Sequence, residues 1–415
     1  MGAVVRVDSP HAAVDSPTAV LVLGTADWSQ PIATNQHYVT RELASAPGVE
    51  ITFVESLALR APELSRRDLA RIVRRVRSAV RRSGGADTRA SRPVPPGTSI
   101  VSPLVAPAAW RWSHRANATL LRRSVAAWRA HPGPKVLWTY TPLTYGLERC
   151  ADAVVYHCVD LLGQFEGIDA ALIDHHEQRV ASAGAQAIAS SDVVRRHLTE
   201  RGFDSTLLWE NVADTAVFSS ALDGGPSRTP RRAIFAGNLT PKKVDYATLV
   251  ALASAGWEVA VAGPRAEGGG ADDDDFARLV DAGVEHLGML SPSQLAAEMA
   301  RSTLGLIPYV DTAYTRGVSP LKTFEYLAAG LAVLSSALPG VTEVPGMVEV
   351  VQPDESFVDR AEAFAAPPAP AQVAARVTHA EQHSWRRRGG EARALLARLG
   401  DTGTATDGAR PPEGT

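Results

Sequence analysis

The sequence predicts an α/β protein with two domains, each built around a parallel sheet. A chain of 415 residues is too long for one ordinary hydrophobic core. In both halves, short apolar runs that end near a glycine alternate with segments of helical periodicity, which is the pattern of open α/β sheets. A stretch rich in Gly, Pro and Ser divides the two halves at residues 223–230.

The predicted organisation has six parts. They are a disordered N-terminus at 1–16, a first domain at 17–222, the linker at 223–230, a second domain at 231–384, a last helix at 385–400 and a disordered polar tail at 401–415. In the first domain we predict strands at 19–23, 49–54, 136–140, 153–158 and 187–191, with a helix that contains Asn35 to Tyr38.

The first half carries a strong local positive charge. Residues 57–135 contain 17 Lys and Arg side chains but only three acidic ones. Apolar residues recur at helical spacing within 66–82, and tryptophans accompany the basic segment 110–129. One interpretation is adsorption of both segments to an anionic membrane surface, and the alternative is a helix packed on its own domain. Nucleic acid is less favoured, because no nucleic-acid-binding module accompanies the charge.

Composition and motifs exclude several classes of protein. The net charge is −3, and no apolar run reaches the length of a membrane-spanning helix. The first residues lack a signal-peptide core, which predicts a cytoplasmic protein. Cys150 and Cys158 are interpreted as reduced structural thiols. We predict no metal site, because His175 and His176 lack a third ligand and the run 272–275 has the character of a solvated loop.

The most informative segment is Ser319-Pro-Leu-Lys-Thr-Phe-Glu-Tyr-Leu-Ala-Ala-Gly330. Pro320 suits the first turn of a helix, and Gly330 suits a left-handed residue that ends one. Lys322 and Glu325 then lie three residues apart near the N-terminus of that helix, where anions are favoured. This pairing suits a nucleoside diphosphate, with the lysine on the diphosphate and the glutamate on the ribose hydroxyls. An ordinary exposed ion pair is the alternative.

The run PLKTFEYLAAGLAVLSS resembles the donor-binding signature of GT-B glycosyltransferases. Residues 234–245, 259–264 and 284–290 resemble further segments of the same donor domain, in the same order. The resemblance implies the GT-B fold, in which two Rossmann-like domains face each other across a cleft and the C-terminal helix crosses back to the first domain. The chain looks most similar to xanthan-type membrane-associated glucuronosyltransferases and teichuronic-acid-type bacterial glycosyltransferases.

The resemblance also implies a set of donor-binding residues and a reaction without a metal ion or a cofactor. The implied residues are Gly237, Asn238, Lys243, Leu287, Met289, Ser319, Leu321, Lys322 and Glu325. Retaining members of family 4 carry a glutamate eight positions before the helix glutamate, where this chain has Gly317. This departure favours an inverting reaction over a retaining one.

Two residues of the first half are candidates for the base that deprotonates the acceptor. Asp160 follows the predicted strand 153–158, and the carboxyl ends of parallel strands face the cleft in open α/β sheets. A helix cap is the alternative role for this carboxylate. His37, on the helix after the first glycine loop, is the second candidate, and a packed non-catalytic histidine is its alternative.

The predicted function is the transfer of a sugar from a nucleoside diphosphate sugar to a hydroxyl group. Family resemblance favours UDP, and the acceptor is a glycan, a lipid-linked glycan or a secondary metabolite. The alternatives are a nucleotide-sugar epimerase of the same fold and a non-catalytic glycan-binding relative. An epimerase would process the donor without an acceptor, whereas a binding relative would turn over no donor.

Overall fold

The computed structural model contains two parallel β-sheets, each with helices on its faces. It describes residues 16–30, 33–57, 92–103, 113–165, 167–224, 227–265 and 273–405. The predicted N-terminal segment up to residue 15, the basic segment 66–82, residues 110–112, residue 272 and the tail from 406 lie outside the described residues.

The first sheet has seven strands, all parallel, in the order β3-β2-β1-β4-β5-β6-β7. They are β1 (Thr18–Leu23), β2 (Val49–Val54), β3 (Thr98–Val101), β4 (Lys135–Thr139), β5 (Ala153–Cys158), β6 (Gln186–Ala189) and β7 (Thr206–Leu208). The strand order reverses between β1 and β4, so their carboxyl ends form a topological switch point, where open α/β sheets bind ligands.

The second sheet has six parallel strands in the order β10-β9-β8-β11-β12-β13. They are β8 (Arg232–Ala236), β9 (Glu258–Ala262), β10 (Glu285–Gly288), β11 (Leu304–Ile307), β12 (Ala332–Ser336) and β13 (Val348–Val351). Its switch point lies between β8 and β11. Strands β8, β11 and most of β12 are buried along their length, as expected for central strands covered on both faces.

Helices cover the sheets and connect their strands. Those of the first half are α1 (Asn35–Ala44), α2 (Ser113–Ser124), α3 (Ala126–Arg129), α4 (Ala170–Ser182), α5 (Asp192–Glu200) and α6 (Thr215–Ser219). Those of the second half are α7 (Tyr246–Ser254), α8 (Asp273–Asp281), α9 (Pro292–Arg301), α10 (Ala313–Arg316), α11 (Lys322–Ala328), α12 (Phe357–Ala361), α13 (Pro370–Glu381) and α14 (Trp385–Ala405).

The last helix, α14, packs against the first sheet. Trp385 stacks on Tyr38 of α1 with ring centroids 4.6 Å apart, and Arg393 donates to Glu42 Oε2 at 2.9 Å. Leu395 and Leu396 lie in the same apolar cluster as residues of β1 and β4. This return of the C-terminal helix to the first half confirms the predicted GT-B architecture.

Several details differ from the sequence prediction. The first sheet also contains β3 and β7, which the sequence did not predict, and α14 continues to Ala405, into the tail predicted to be disordered. The helix expected to open at Pro320 begins at Lys322, because Pro320 and Leu321 form the turn that precedes it. Gly330 ends it in the left-handed region, as predicted, with φ of 76°.

The expectation that Trp128 suits a membrane surface is wrong. Trp128 is 3% exposed and its indole Nε1 donates to the Ala19 carbonyl at 3.0 Å, so it belongs to the core.

None of the helices among the described residues is both long enough and apolar enough to cross a membrane.

Candidate functional site

The loops at the switch point of the second sheet bring two glycines into close contact. Gly237 follows β8 with φ of 150°, and Gly263 follows β9 with φ of 137°. A Cβ atom on Gly263 would lie 2.0 Å from the Gly237 carbonyl oxygen. A Cβ atom on Gly237 would lie 2.6 Å from Lys322 Cε and 2.8 Å from Lys322 Nζ. Only glycine therefore fits at these positions, and its small size admits the lysine to the switch point.

Tyr309 lies between the two predicted phosphate-binding lysines. It follows β11, and its side chain is 4% exposed. Lys322 Nζ donates to the Tyr309 hydroxyl at 3.2 Å, and Lys243 Nζ lies 4.7 Å from the centre of the Tyr309 ring. A second ring, that of Tyr314, lies 5.4 Å from Lys243 Nζ. The aromatic faces thus stabilise one ammonium group while the hydroxyl orients the other.

Burial lowers the pKa of both lysines. For Lys322 the Glu325 carboxylate opposes this shift. For Lys243 burial is the largest cause, Lys322 lowers the pKa further, and Tyr309 and Asp160 oppose the shift. Two cations held close together in a partly desolvated cleft favour an anionic ligand, because its charge would relieve their mutual repulsion.

Glu325 lies on the same helix, half-buried, and faces residues of the first half. Burial raises its pKa to about 7, Lys322 opposes the shift, and Asp214 adds to it. Tyr38 of α1 lies nearby. Burial raises its pKa to about 12, with contributions from Asp214 and Glu325. The predicted ribose-binding carboxylate therefore lies where the two halves of the molecule meet.

The remaining predicted donor residues differ in how far they are buried. Asn238 Oδ1 is buried and has no hydrogen-bond partner among the residues that the structure describes. Ser319 is 5% exposed, and Leu321 is half-buried at the start of α11. Leu287 is half-buried on β10, whereas Met289, directly after β10, is 53% exposed. Among the described contacts, none joins Leu287 or Met289 to Lys243 or Lys322. Their predicted role in donor binding stays a prediction.

Asp160 lies two residues after the end of β5 and faces the second half. Burial raises the pKa of its carboxyl group, and Lys243 opposes this shift. The following short helical turn, Leu162–Gln164, has Leu161 at its N-cap and no side-chain cap hydrogen bond. The alternative role of Asp160 as a helix cap is therefore absent, and its carboxylate lies across the cleft from the lysines.

His37, the second candidate base, uses both ring nitrogens within its own half. Nδ1 accepts from the Thr34 backbone N–H at 3.1 Å, and Nε2 lies 3.2 Å from the Asp27 carbonyl oxygen. The ring is 2% exposed and packs against Trp28 and Phe53. Burial and then Arg92 lower its pKa to about 4. This geometry is that of a packed neutral histidine with no nitrogen directed to the cleft.

One group of metal-ligand side chains occurs among the described residues, formed by Asp174, Glu177 and His197. Each already has protein partners. Arg201 pairs with Asp174 at 2.9 Å, while Tyr156 and His197 bind the two oxygens of Glu177 at 2.9 and 2.7 Å. The group is explained as a hydrogen-bonded network between α4 and α5.

Three residues of the site were not predicted from the sequence. They are Tyr309, Asn211 and Asp214. Tyr309 had a usable signal, because it follows a buried strand at its carboxyl end. Asn211 and Asp214 precede α6 in an irregular segment, and nothing in their local pattern indicates that they approach α11.

Comparison with known proteins agrees with this geometry. Residues 246–397 match the family model described as glycosyl transferase-like. A relative from Bacillus subtilis (strain 168), named as a teichuronic acid biosynthesis glycosyltransferase, TuaH, is 28% identical over 224 residues. That match covers 49% of this chain and 55% of the relative, so the chain matches about half of the relative's length.

Solved structures share the whole architecture. Anabaena HepE in complex with UDP and glucose aligns with a TM-score of 0.58 at 13% identity, covering 92% of this chain and 99% of HepE. An Escherichia coli structure titled trehalose-6-phosphate, bound with UDP-2-fluoro glucose, aligns with a TM-score of 0.60 at 12% identity, covering 92% and 99%. These similarities confirm the GT-B fold and the resemblance to GT-B glycosyltransferases.

Proposed function

We propose that this GT-B protein is a metal-independent glycosyltransferase that uses a nucleoside diphosphate sugar, with UDP as the nucleotide. The observation that carries the proposal is the cluster of Lys322, Tyr309 and Lys243 at the switch point of the second sheet, facing Asp160 across the cleft. UDP is supported by two similar structures, since HepE is in complex with UDP and glucose and the E. coli structure is bound with UDP-2-fluoro glucose.

The donor side of the reaction needs stabilisation of a leaving diphosphate. Lys322 and Lys243 would offset the negative charge that develops on the diphosphate as its bond to the sugar breaks. Glu325 would accept hydrogen bonds from the ribose hydroxyls, and Asn238 Oδ1 would accept one more from the donor. No metal ion is assigned to this step, because two ammonium groups already supply the positive charge.

The acceptor side of the reaction needs a base. In the proposed inverting step, the acceptor oxygen attacks the anomeric carbon, the bond from that carbon to the diphosphate breaks, and the acceptor proton passes to Asp160. The raised pKa of Asp160 suits a group that must take up this proton. The acceptor is a glycan, a lipid-linked glycan or a secondary metabolite.

A thermal-stability screen tests the donor proposal. The purified protein is heated with UDP-, GDP- and dTDP-sugars, because a ligand that binds only the folded state raises the unfolding midpoint. We expect UDP-sugars to give the largest rise, and no rise with any donor would contradict the proposal. Incubation of the best donor without an acceptor then tests the epimerase alternative, which predicts a new sugar isomer. Absence of turnover with every donor and acceptor would indicate a binding protein.

We further propose that the protein acts in cell-envelope polysaccharide synthesis, in the cytoplasm, on the inner face of the membrane. The name of the B. subtilis relative supports the pathway class. The outer faces of α2 and α3 support the location. Arg115, Arg122, Arg123 and Arg129 are exposed there, Leu120 is 41% exposed, and residues 113–130 contain no acidic side chain. Each basic residue near an anionic leaflet contributes about 1 kcal/mol.

Sedimentation with lipid vesicles tests this location. We expect the protein to sediment with vesicles that contain phosphatidylserine at low salt, to be released as salt increases, and to remain in solution with phosphatidylcholine alone. The double variant Arg115→Gln/Arg123→Gln should sediment less than the parent. Equal recovery with both kinds of vesicle would favour a surface without membrane function.

A further inference from the structure

A chain of hydrogen bonds connects α1 of the first half to the loop that precedes α11. Asn35 Nδ2 donates to Asn211 Oδ1 at 2.6 Å, and Asn211 Nδ2 donates to the Ser319 carbonyl at 2.7 Å. The Asn211 backbone N–H also lies 3.3 Å from Ser319 Oγ. We call this chain the interdomain amide chain. Both ends of the Asn211 amide are used, one toward each half of the molecule.

The loop 317–319 is held from two further sides. Ser191 Oγ, at the N-terminus of α5, donates to the Gly317 carbonyl at 3.1 Å. On the opposite side, the Val318 carbonyl lies so near Gly340 that a Cβ atom there would approach it to 2.3 Å. The backbone of this loop is therefore held by contacts with both halves, in addition to local hydrogen bonds from the Gly317 and Val318 N–H groups to the preceding helix.

The position of this loop sets the position of α11. Ser319 is separated from Lys322 by only Pro320 and Leu321, and α11 has seven residues. A helix this short has little stability of its own, so its orientation depends on its contacts. A shift of Ser319 would move Lys322 and Glu325 together.

The segment that carries Asn211 also contacts the start of the crossing helix. The Ala213 N–H donates to the His383 carbonyl at 3.0 Å, and the Trp385 N–H donates to the Ala213 carbonyl at 3.2 Å. Trp385 in turn stacks on Tyr38, three residues from Asn35. Asn211 therefore lies where the two halves and the crossing helix meet.

We propose that Asn211 is a positioning residue that transmits the placement of α1 to the donor helix α11. The inference rests on the proposed function for its effect on the donor, since Lys322 and Glu325 are the groups it would place. It assigns Asn211 no contact with the substrate. The consequence is that a change on α1, which belongs to the first half, alters affinity for the donor.

Three variants separate the two ends of the amide chain. Asn35→Ala removes the donor from α1. Asn211→Asp keeps an acceptor for Asn35 but places an oxygen opposite the Ser319 carbonyl, so it breaks only the link to the loop. Asn211→Ala removes both side-chain links and keeps only the backbone N–H near Ser319 Oγ. Asn117→Ala is the matched control, because Asn117 is a fully buried asparagine of the same half whose Nδ2 lies 3.4 Å from Ser113 Oγ and from the Tyr145 hydroxyl.

Calorimetry with UDP as the probe measures the effect on the donor site. We expect UDP affinity to fall roughly three- to tenfold in Asn35→Ala and Asn211→Asp, since each loses one hydrogen bond, and at least as far in Asn211→Ala, which loses two. Asn117→Ala should lower the unfolding midpoint without changing UDP affinity. Parental UDP affinity in Asn35→Ala and Asn211→Asp would overturn the inference.

Hydrogen exchange of the ligand-free protein distinguishes failure of this inference from failure of the donor proposal. Amides of residues 321–328 should exchange faster in Asn35→Ala and Asn211→Asp than in the parent and in Asn117→Ala. If the parent binds no UDP, the donor proposal fails, yet faster exchange would still support the positioning role. Unchanged exchange in both variants would overturn the positioning role whatever the protein binds.

Discussion

The two switch points of the molecule use the same backbone device for different ends. In the first sheet, Gly24 follows β1, and a Cβ atom there would lie 2.6 Å from Gln36 Oε1. In the second sheet, Gly237 follows β8, and its missing side chain makes room for Lys322. Each glycine thus admits one polar side chain to the edge of its sheet, but the first is a neutral amide and the second an ammonium group.

The difference lies in what satisfies each side chain. Gln36 is 4% exposed, its Oε1 accepts from the Thr25 N–H at 2.8 Å, and its Nε2 donates to Thr25 Oγ1 at 3.2 Å. Both polar ends of the Gln36 side chain are therefore satisfied by Thr25, in the loop that follows β1. Lys322 donates to a tyrosine hydroxyl, beside a second lysine. The switch point of the first sheet is therefore complete without a ligand, whereas that of the second sheet has charge that a bound anion would balance.

The largest expected effect comes from changing Asp160, the proposed base, which faces Lys243. Asp160→Asn should lower kcat by roughly a hundredfold to ten-thousandfold, because a general base acts in the chemical step. Donor affinity and the unfolding midpoint should stay near parental values. Steady-state kinetics and calorimetry check both. Near-parental turnover would end the assignment of Asp160, and a product that keeps the anomeric configuration of the donor would end the inverting mechanism.

The next largest effect concerns the donor helix itself. Lys322→Ala and Glu325→Ala should each weaken UDP binding roughly tenfold to a hundredfold, since each removes a charge-assisted hydrogen bond worth about 1.5 to 3 kcal/mol. Calorimetry measures the affinity, and circular dichroism controls for the fold. If both variants bind UDP as the parent does, the switch point of the second sheet is not the donor site.

The pKa of Glu325 sharpens the same test. Because the pKa is raised to about 7, the carboxylate is progressively protonated as the pH falls below that value and loses acceptor capacity. UDP affinity should therefore decline between pH 8 and pH 6 more in the parent than in Glu325→Gln, whose amide does not titrate there. Parallel pH profiles for the two proteins would contradict a direct role for this carboxylate.

A smaller effect is expected at the tyrosine between the lysines. Tyr309→Phe keeps the ring near Lys243 but removes the hydroxyl bound by Lys322, so UDP affinity should fall roughly three- to tenfold. Tyr309→Leu also removes the aromatic face and should weaken binding further, by a factor that corresponds to about 0.5 to 2 kcal/mol. Binding isotherms for both variants give the comparison. Equal affinities in the two variants would show that the ring contributes nothing.

The smallest effect on turnover is expected for His37, at the switch point of the first sheet. His37→Gln should leave kcat near the parental value, because the ring is engaged within its own half. Its cost should appear in stability instead, as roughly 1 to 3 kcal/mol for lost packing and hydrogen bonds. A hundredfold loss of kcat with normal donor binding would restore His37 as the base.

Lowering the pH should destabilise the fold, because burial keeps several histidines neutral in the folded protein. The pKa of His37 falls from 6.5 to about 4 in the folded protein, so between these values only the unfolded chain is protonated there. Three further histidines act in the same direction, with pKa values of about 3, 4 and 4: His157, His176 and His383. Glu325 and Asp160 act oppositely, but four groups outweigh two. The thermal unfolding midpoint should therefore decrease as the pH is lowered from 6.5 toward 4. An increase over this range would contradict the assignment of these histidines as neutral in the folded protein.

The linear sequence was enough to predict five strands of the first sheet and the short helix that carries Lys322 and Glu325. Strands 49–54 and 153–158 have the predicted bounds, and Gly330 has the predicted left-handed backbone. These features depend on local periodicity and on the backbone preferences of single residues, which a linear pattern records directly. The resemblance to GT-B glycosyltransferases depended on the same local run around Lys322.

Which side chains meet follows from how the elements pack, and the linear sequence does not record it. Tyr309 joins Lys322 to Lys243, and Asn211 joins α1 to Ser319, although 108 residues separate Asn211 from Ser319 in the chain. The burial of Trp128 and the enclosure of His37 were likewise decided by packing. Such contacts arise when separate elements dock, and no periodicity within either element encodes the partner. The sequence therefore predicts where a strand or helix runs, whereas the fold determines what each side chain faces.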